Sequence, residues 1–432
     1  MLFFLTCFYM VVFYSQPGGR IPALGVIRFE FVLGAAILVA LVFLRSHLVF
    51  ANERMNRAAM VFGGALCLSF IGAMQTHTVT DAYPVFIELL KSFCIYLMII
   101  GTVDSKEQLE KFIWVYVFCM LILIGEPFLL SLQGQNFKPG EGGILRLYGV
   151  GQFAHPNGLG IHAVTTLVLI YYLFWHYRSV IIKAFLVSFG LVCLRVIMLT
   201  GSRSAYLGLI ILVVYFFLYS KKKLRFVIAC FLLVTVLNTF VPSVYRERFR
   251  SLKEVTTVVQ ADARQPTSIG GRWALVRDAW NVFLEHPIFG CGIDSFWRIS
   301  HEDKEFGTTG QTHNLLMQIL AETGIVGLAA FVFLTTTIWR TLKHSRAILA
   351  SLHKEDGHIY MLMNAFMVFL LTQLTIGMVA QHSLYSYVWW VISGIAVVSL
   401  RITTEQETTL LCLEPSGNAH APQPVLTSNH GI

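Results

Sequence analysis

Three segments of this chain concentrate side chains able to do chemistry, and each leads into a long apolar run. The first, RLYGVGQFAHPNGLG (146–160), carries Arg146 and His155. The second, TGSRSAYLG (200–208), carries Arg203. The third begins at GGRWALVRDAW (270–280) with Arg272 and Arg277, and passes through FGCGIDSFW (289–297). It ends in THNLLMQILAETGIVGLAAF (312–331), which holds His313, Asn314 and Gln318. Arginine is always protonated and offers a planar fork to anionic oxygens. Arg203 opens a helix, so free backbone N–H groups and the positive dipole end add to its charge. A histidine with an unperturbed pKa near 6.5 can accept a proton at neutral pH. Residues of these types suit the binding of an anion beside a site of proton transfer. The plainer alternatives are that Arg203 anchors a span at the membrane interface and that His313 caps a helix. His155-Pro156-Asn157 reads as a structural helix entrance. The Gly-x-Gly at 290–292 reads as a turn, because no strand precedes it as a nucleotide loop requires.

The elements that must position these residues are membrane helices. Of 432 residues, 56% are hydrophobic and 13% charged, about half the charge of a soluble domain. The mean hydropathy is +0.67. Such a chain has too few polar residues to cover a core in water, which excludes an ordinary cytoplasmic enzyme, a disordered protein and a disulfide scaffold. Of eight cysteines, six fall in apolar runs, and no metal-ligand or disulfide spacing is visible. Twelve spans are expected near 2–15, 22–44, 58–75, 84–101, 112–131, 157–174, 181–199, 203–220, 224–241, 313–337, 359–380 and 384–400. The fold class is therefore all-α and polytopic. Its domains are helices 1–9 over 1–241, a long periplasmic loop at 242–312 containing short helices, helices 10–12 over 313–401, and a flexible cytoplasmic tail at 402–432.

Basic residues fix the sidedness. With the N-terminus inside, cytoplasmic segments hold sixteen Lys and Arg, against four in the short outside loops (Arg20, Lys138, Arg146 and Arg203). The net charge of +8 is thus a topology signal, and no nucleic-acid partner is needed to explain it. Within 271–285, Trp273, Val276, Trp280 and Phe283 recur at helical spacing, which suggests an amphipathic helix on the outer membrane surface. Arg28, Glu30, Glu88, Lys91, Glu126 and Arg195 fall inside predicted spans, all within about 6–12 Å of the outer end at 1.5 Å per residue. A transporter would be expected to place some charges near the midplane, so this distribution points to a polar cavity open to the periplasmic side. Singly, the same residues admit plainer readings: Glu88 and Lys91 as an i,i+3 pair, Arg28 and Arg195 as snorkelling side chains.

The order of the motifs resembles the O-antigen ligase and polymerase superfamily. A Ser-Arg pair opens a helix. A long loop, a Gly-x-Gly turn, His-Asn-x-x-x-Gln and Glu-x-Gly-x-x-Gly-Leu then follow. By motif the resemblance covers about 140–335. It implies transfer of a glycan from undecaprenyl diphosphate to an acceptor hydroxyl, at the periplasmic face of the bacterial inner membrane. His313 would then match the family's essential loop histidine, acting as general base, and Arg203 and Arg272 its essential arginines, holding the donor diphosphate. Arg146, Arg195, Arg277, Asn314 and Gln318 are further candidates for binding donor or sugar. Direct attack would invert the anomeric centre.

The acceptor expected is lipid A core, as in lipopolysaccharide biosynthesis. Within the superfamily, a polysaccharide polymerase and a protein O-oligosaccharyltransferase are the alternatives, and a lipid-linked glycan flippase is the alternative from another class. No cofactor or metal is expected. The first outside loop, Gln16–Arg20, lacks the acidic residues with which many other membrane glycosyltransferases bind a cation, and the His301, Glu302, Asp303, Glu305 cluster reads as a solvated acidic loop.

Overall fold

The computed structural model describes residues 1–49, 54–139, 145–151, 154–219, 222–224, 227–228, 231, 235, 269–302, 311–354, 357–379 and 384–413. In chain order the helices are α1 (Leu2–Ser15), α2 (Pro17–Arg20), α3 (Pro22–Val26), α4 (Phe29–Val49), α5 (Arg54–Gln75), α6 (Val79–Thr102) and α7 (Lys106–Leu132). Two short antiparallel strands follow, β1 (Phe137–Pro139) and β2 (Leu145–Leu147), with Lys138 opposite Arg146. Then come α8 (Pro156–His176), α9 (Val180–Thr200), α10 (Arg203–Tyr219), α11 (Ile269–Glu285), α12 (Phe296–Glu302), α13 (Leu315–Ser351), α14 (His358–Gly377) and α15 (Val388–Leu413).

Among the described residues, eight helices are long and apolar enough to cross a membrane: α5, α6, α7, α8, α9, α13, α14 and α15. Three shorter apolar helices lie at Leu2–Ser15, Phe29–Leu44 and Arg203–Leu218. Eleven of the twelve predicted spans thus coincide with an apolar helix, and most of the ninth, 224–241, lies outside the described residues. The chain is an all-α, multi-pass membrane protein. Phe4, Phe43, Met60, Leu129 and Leu218 are more than half exposed. In a lipid solvent these side chains meet acyl chains, so they carry no hydrophobic penalty.

The core lies where α5, α6, α13 and α15 meet. Trp389 and Trp390 are fully buried there. Phe62 packs on Phe331 and Trp390, Phe93 on Trp390, and Phe331 edge-on to Trp389. Alternate crossings bring the C-terminal ends of α5, α9 and α14 to the same end of the bundle as the N-terminal ends of α6, α8, α10, α13 and α15, and all three motif segments lie at that end.

Two boundaries differ from expectation. The predicted span 22–44 is broken: α3 ends at Val26, Arg28 adopts a left-handed backbone (φ 49°), and α4 starts at Phe29. Prolines at the first positions of α2 and α3 restart the helix twice. Arg28 and Glu30 therefore lie at a helix end and not within an apolar run, and Glu30 Oε1 accepts from the Gly18 N–H at 2.7 Å. The last helix continues past Arg401, through the buried Thr403, to Leu413. Arg401 donates to the Ile100 carbonyl at 2.9 Å there. A flexible tail starting at 402 is thus corrected to a helix through Leu413; residues 414–432 lie outside the described residues.

Candidate functional site

The turn between α9 and α10 is built for close approach. Gly201 ends α9 in the left-handed conformation (φ 56°), as a helix C-cap requires. Ser202 Oγ then accepts from the Ala205 N–H at 3.3 Å and caps α10. Arg203 occupies the first position of α10. Its side chain is half-buried, its Nε is buried, and it has no hydrogen-bond or ion-pair partner among the described residues. A guanidinium without a counter-charge, at the positive end of a helix, is a ready anion site.

Arg146 holds this turn from behind. It lies on β2, is buried, and donates from Nε to the Thr200 carbonyl at 2.8 Å and from Nη2 to Asn157 Oδ1 at 2.7 Å. Asn157 sits in the first turn of α8, whose N-cap His155 accepts the Asn157 N–H on Nδ1. The first and second motif segments are thereby joined. Ser204 Oγ donates to the Val379 carbonyl at 2.9 Å, which ties α10 to the end of α14.

The third segment is organised by backbone contacts that only glycine permits. Gly324 (φ 64°, ψ −163°) interrupts α13. Into that gap comes the 287–292 loop: Ile325 N bonds Pro287 O at 2.9 Å, Cys291 N bonds Ala321 O at 2.8 Å, and Gly292 N bonds Glu322 O at 3.2 Å. A Cβ on Gly290 would strike the Glu322 backbone, one on Gly292 the backbone of Ala73, and one on Gly72 the Gly290 carbonyl. The Gly-x-Gly turn is therefore wedged between α5 and the break in α13, and Ser69 Oγ and Thr76 Oγ1 add bonds to Glu322 O (2.5 Å) and Cys291 O (2.8 Å).

A polar network lies beneath the His313 turn. Glu322 is fully buried, and Tyr385 donates its hydroxyl to Glu322 Oε2. The same hydroxyl accepts the Asp294 N–H at 2.8 Å, and Gln311 Nε2 donates to Asp294 Oδ1 at 3.0 Å. Burial, with the Asp81 charge adding a smaller effect, pushes the Asp294 carboxyl up to about 6, against the pull of the Gln311 bond. Burial, followed by the nearby Glu322 and Asp294 carboxylates, holds the Tyr385 phenol well above its ordinary value, so it stays a donor. Two residues beyond Gln311, His313 takes a left-handed backbone (φ 49°) with a half-buried side chain. Asn314 caps α13 through its side-chain oxygen, accepting the Met317 N–H at 3.1 Å. Gln318 is buried one turn before Glu322.

The remaining expected residues divide. Arg272 lies in the first turn of α11; its side chain is outside the described residues. Arg277 is exposed on the same helix, and Arg195 is half-buried in α9. α11 buries Leu275, Ala279 and Val282 against Ala321 and Met317 of α13 and Phe296 of α12, and leaves Trp273 and Trp280 exposed. His301 and Glu302 have side chains outside the described residues, as do Asp303 and Glu305 entirely.

Glu322, Tyr385, Asp294 and Gln311 were not among the candidate residues read from the sequence. The available signal was Glu322 itself, an acid within the predicted span 313–337 and part of the Glu-x-Gly motif. Its partner Tyr385 lies 63 residues on, with no pattern to join the two.

Residues 189–332, one third of the chain, match a family model described as O-Antigen ligase. The match starts in α9, takes in the Arg203 turn, α11, α12 and the Gly-x-Gly loop, and ends inside α13. No curated protein matches the chain. Residues 189–332 are thus similar to the O-antigen ligase family, the one the motifs resemble.

Proposed function

We propose that this protein transfers a glycan from undecaprenyl diphosphate to a hydroxyl of lipid A core, at the periplasmic face of the inner membrane. The observation that supports it best is Arg203, a guanidinium at a helix N-terminus with its Nε buried and no partner among the described residues. A lipid diphosphate is already a stable anion, so a site that transfers from it must supply fixed positive charge. In this reading Arg203, with Arg272 from α11, holds the diphosphate, and Arg146 keeps the Arg203 turn in place. His313 takes the proton of the acceptor hydroxyl. The acceptor oxygen bonds to the anomeric carbon as the carbon–oxygen bond to the diphosphate breaks, with inversion, and undecaprenyl diphosphate leaves with the electron pair. Asn314 and Gln311 fix the His313 turn through the α13 cap and Asp294.

The test is a glycan profile from cells with and without the gene. A lost ligase leaves bare lipid A core and accumulates lipid-linked polymer. Core bearing a single repeat would instead assign a polymerase. Transport of lipid-linked glycan by the purified protein in vesicles, with no transfer in an assay run beside it, would assign a flippase.

A further inference from the structure

At the opposite end of the bundle from the motif segments, α7 begins, α8 ends and α14 begins. There Glu110, His176 and His358 each present one ligand atom, and these atoms all lie within 4.8 Å of one another. The two imidazoles lie close together and tilted, with centroids 4.1 Å apart and planes inclined by 46°. His358 is 5% exposed, and its Nε2 is buried with no hydrogen-bond partner among the described residues. A buried ring nitrogen without a described partner, on an imidazole beside a second imidazole and a carboxylate, calls for an explanation.

We propose that Glu110, His176 and His358 bind a zinc ion that ties together the ends of α7, α8 and α14. Two imidazoles and one carboxylate are a donor set zinc accepts, with a water in the fourth position. Tetrahedral zinc at ordinary bond lengths holds its donors ~3.3 Å apart, so modest side-chain rotation closes the present spacing. The outer shell is already in place. Tyr177 donates its hydroxyl to Glu110 Oε1, and Trp114 Nε1 donates to that hydroxyl at 2.8 Å. Such partners orient a ligating carboxylate. The adjoining cleft, lined by Leu169, Tyr172, Leu173, Met361 and Leu362, is mostly apolar. The inference is independent of the transfer reaction, which it places at the other end of the molecule.

The experiment uses tag-free full-length protein in detergent, stripped with a chelator and titrated with Zn²⁺ or Co²⁺. One equivalent should bind per chain, the cobalt form should show the intense visible absorption of a tetrahedral site, and zinc should raise the thermal midpoint. His176→Ala and His358→Ala should each weaken zinc binding at least 100-fold and abolish the thermal shift, whereas His344→Ala and His353→Ala, at exposed positions, should leave both unchanged. If the alanine variants do not elute as monodisperse protein, Glu110→Gln, which keeps the volume of the side chain, carries the same expectation. Wild-type protein that binds less than a fifth of an equivalent, or binding undiminished in the substituted proteins, would overturn the proposal.

Discussion

Arg146 donates from Nε to the carbonyl oxygen of Thr200 at 2.8 Å, which places a guanidinium from a strand directly beneath the turn that presents Arg203. A second bond, to Asn157, draws in the start of α8. At least two of the five donors of Arg146 are thus committed to the protein. In the proposed reading it acts as a positioning residue for Arg203; the sequence alone suggested a substrate contact.

Replacing Arg146 tests that assignment. Arg146→Lys keeps the charge but cannot reach Thr200 and Asn157 together, because an ammonium lacks the planar fork. Leaving the buried Thr200 carbonyl and the Asn157 amide short of a partner costs about 1–3 kcal/mol. Thermal unfolding in detergent should show a lower midpoint, and the transfer rate should fall about 10-fold or more with little change in KM for the acceptor. Unaltered stability with a raised donor KM would make Arg146 a direct donor ligand instead.

The break in α13 is open to a backbone test. Gly324 has φ 64° and ψ −163°, and a Cβ there would collide with the Ile288 carbonyl. Gly324→Ala should therefore destabilise by at least about 3 kcal/mol, since the φ/ψ region is nearly glycine-only and the obstacle is backbone. Gly64, in α5, faces open space, and Gly64→Ala should be neutral or slightly stabilising through helix propensity. Paired thermal melts of the two variants check the contrast.

Asp294 links stability to pH. Its carboxyl is raised from 3.8 to about 6 in the fold, so the folded state binds the proton more tightly than the unfolded state. That contribution is fully present below about pH 4 and is lost as pH rises through about 6, an effect on the order of 2 kcal/mol. Asp294→Asn removes the titration and keeps an oxygen to accept from Gln311. The difference in thermal midpoint between variant and wild type should therefore grow in the variant's favour from pH 4 to pH 7. A difference that stays constant over that range would show that Asp294 does not titrate there.

The helices were legible because a bilayer demands about 20 apolar residues per crossing, and that requirement is written locally along the chain. The arginines at helix openings, Arg203 above all, were legible for the same reason, since polar residues flanking such runs stand out. What escaped was set by tertiary contact. The amphipathic pattern of 271–285 highlighted Trp273 and Trp280, yet the face packed on α13 is the less conspicuous Leu275, Ala279 and Val282. Gly72, Gly290 and Gly324 lie far apart in the chain and matter because three backbones meet there. Glu322 and Tyr385 pair across 63 residues, a relation that no periodicity encodes.

The proposed anion site is tested most directly by the transfer rate of purified protein in lipid nanodiscs, given an undecaprenyl-diphosphate-linked glycan and lipid A core. Arg203→Ala, with the thermal midpoint of the wild type, should lose at least 100-fold in rate, and His313→Ala should lose as much. Wild-type transfer by a correctly folded Arg203→Ala protein would show that the diphosphate is held elsewhere.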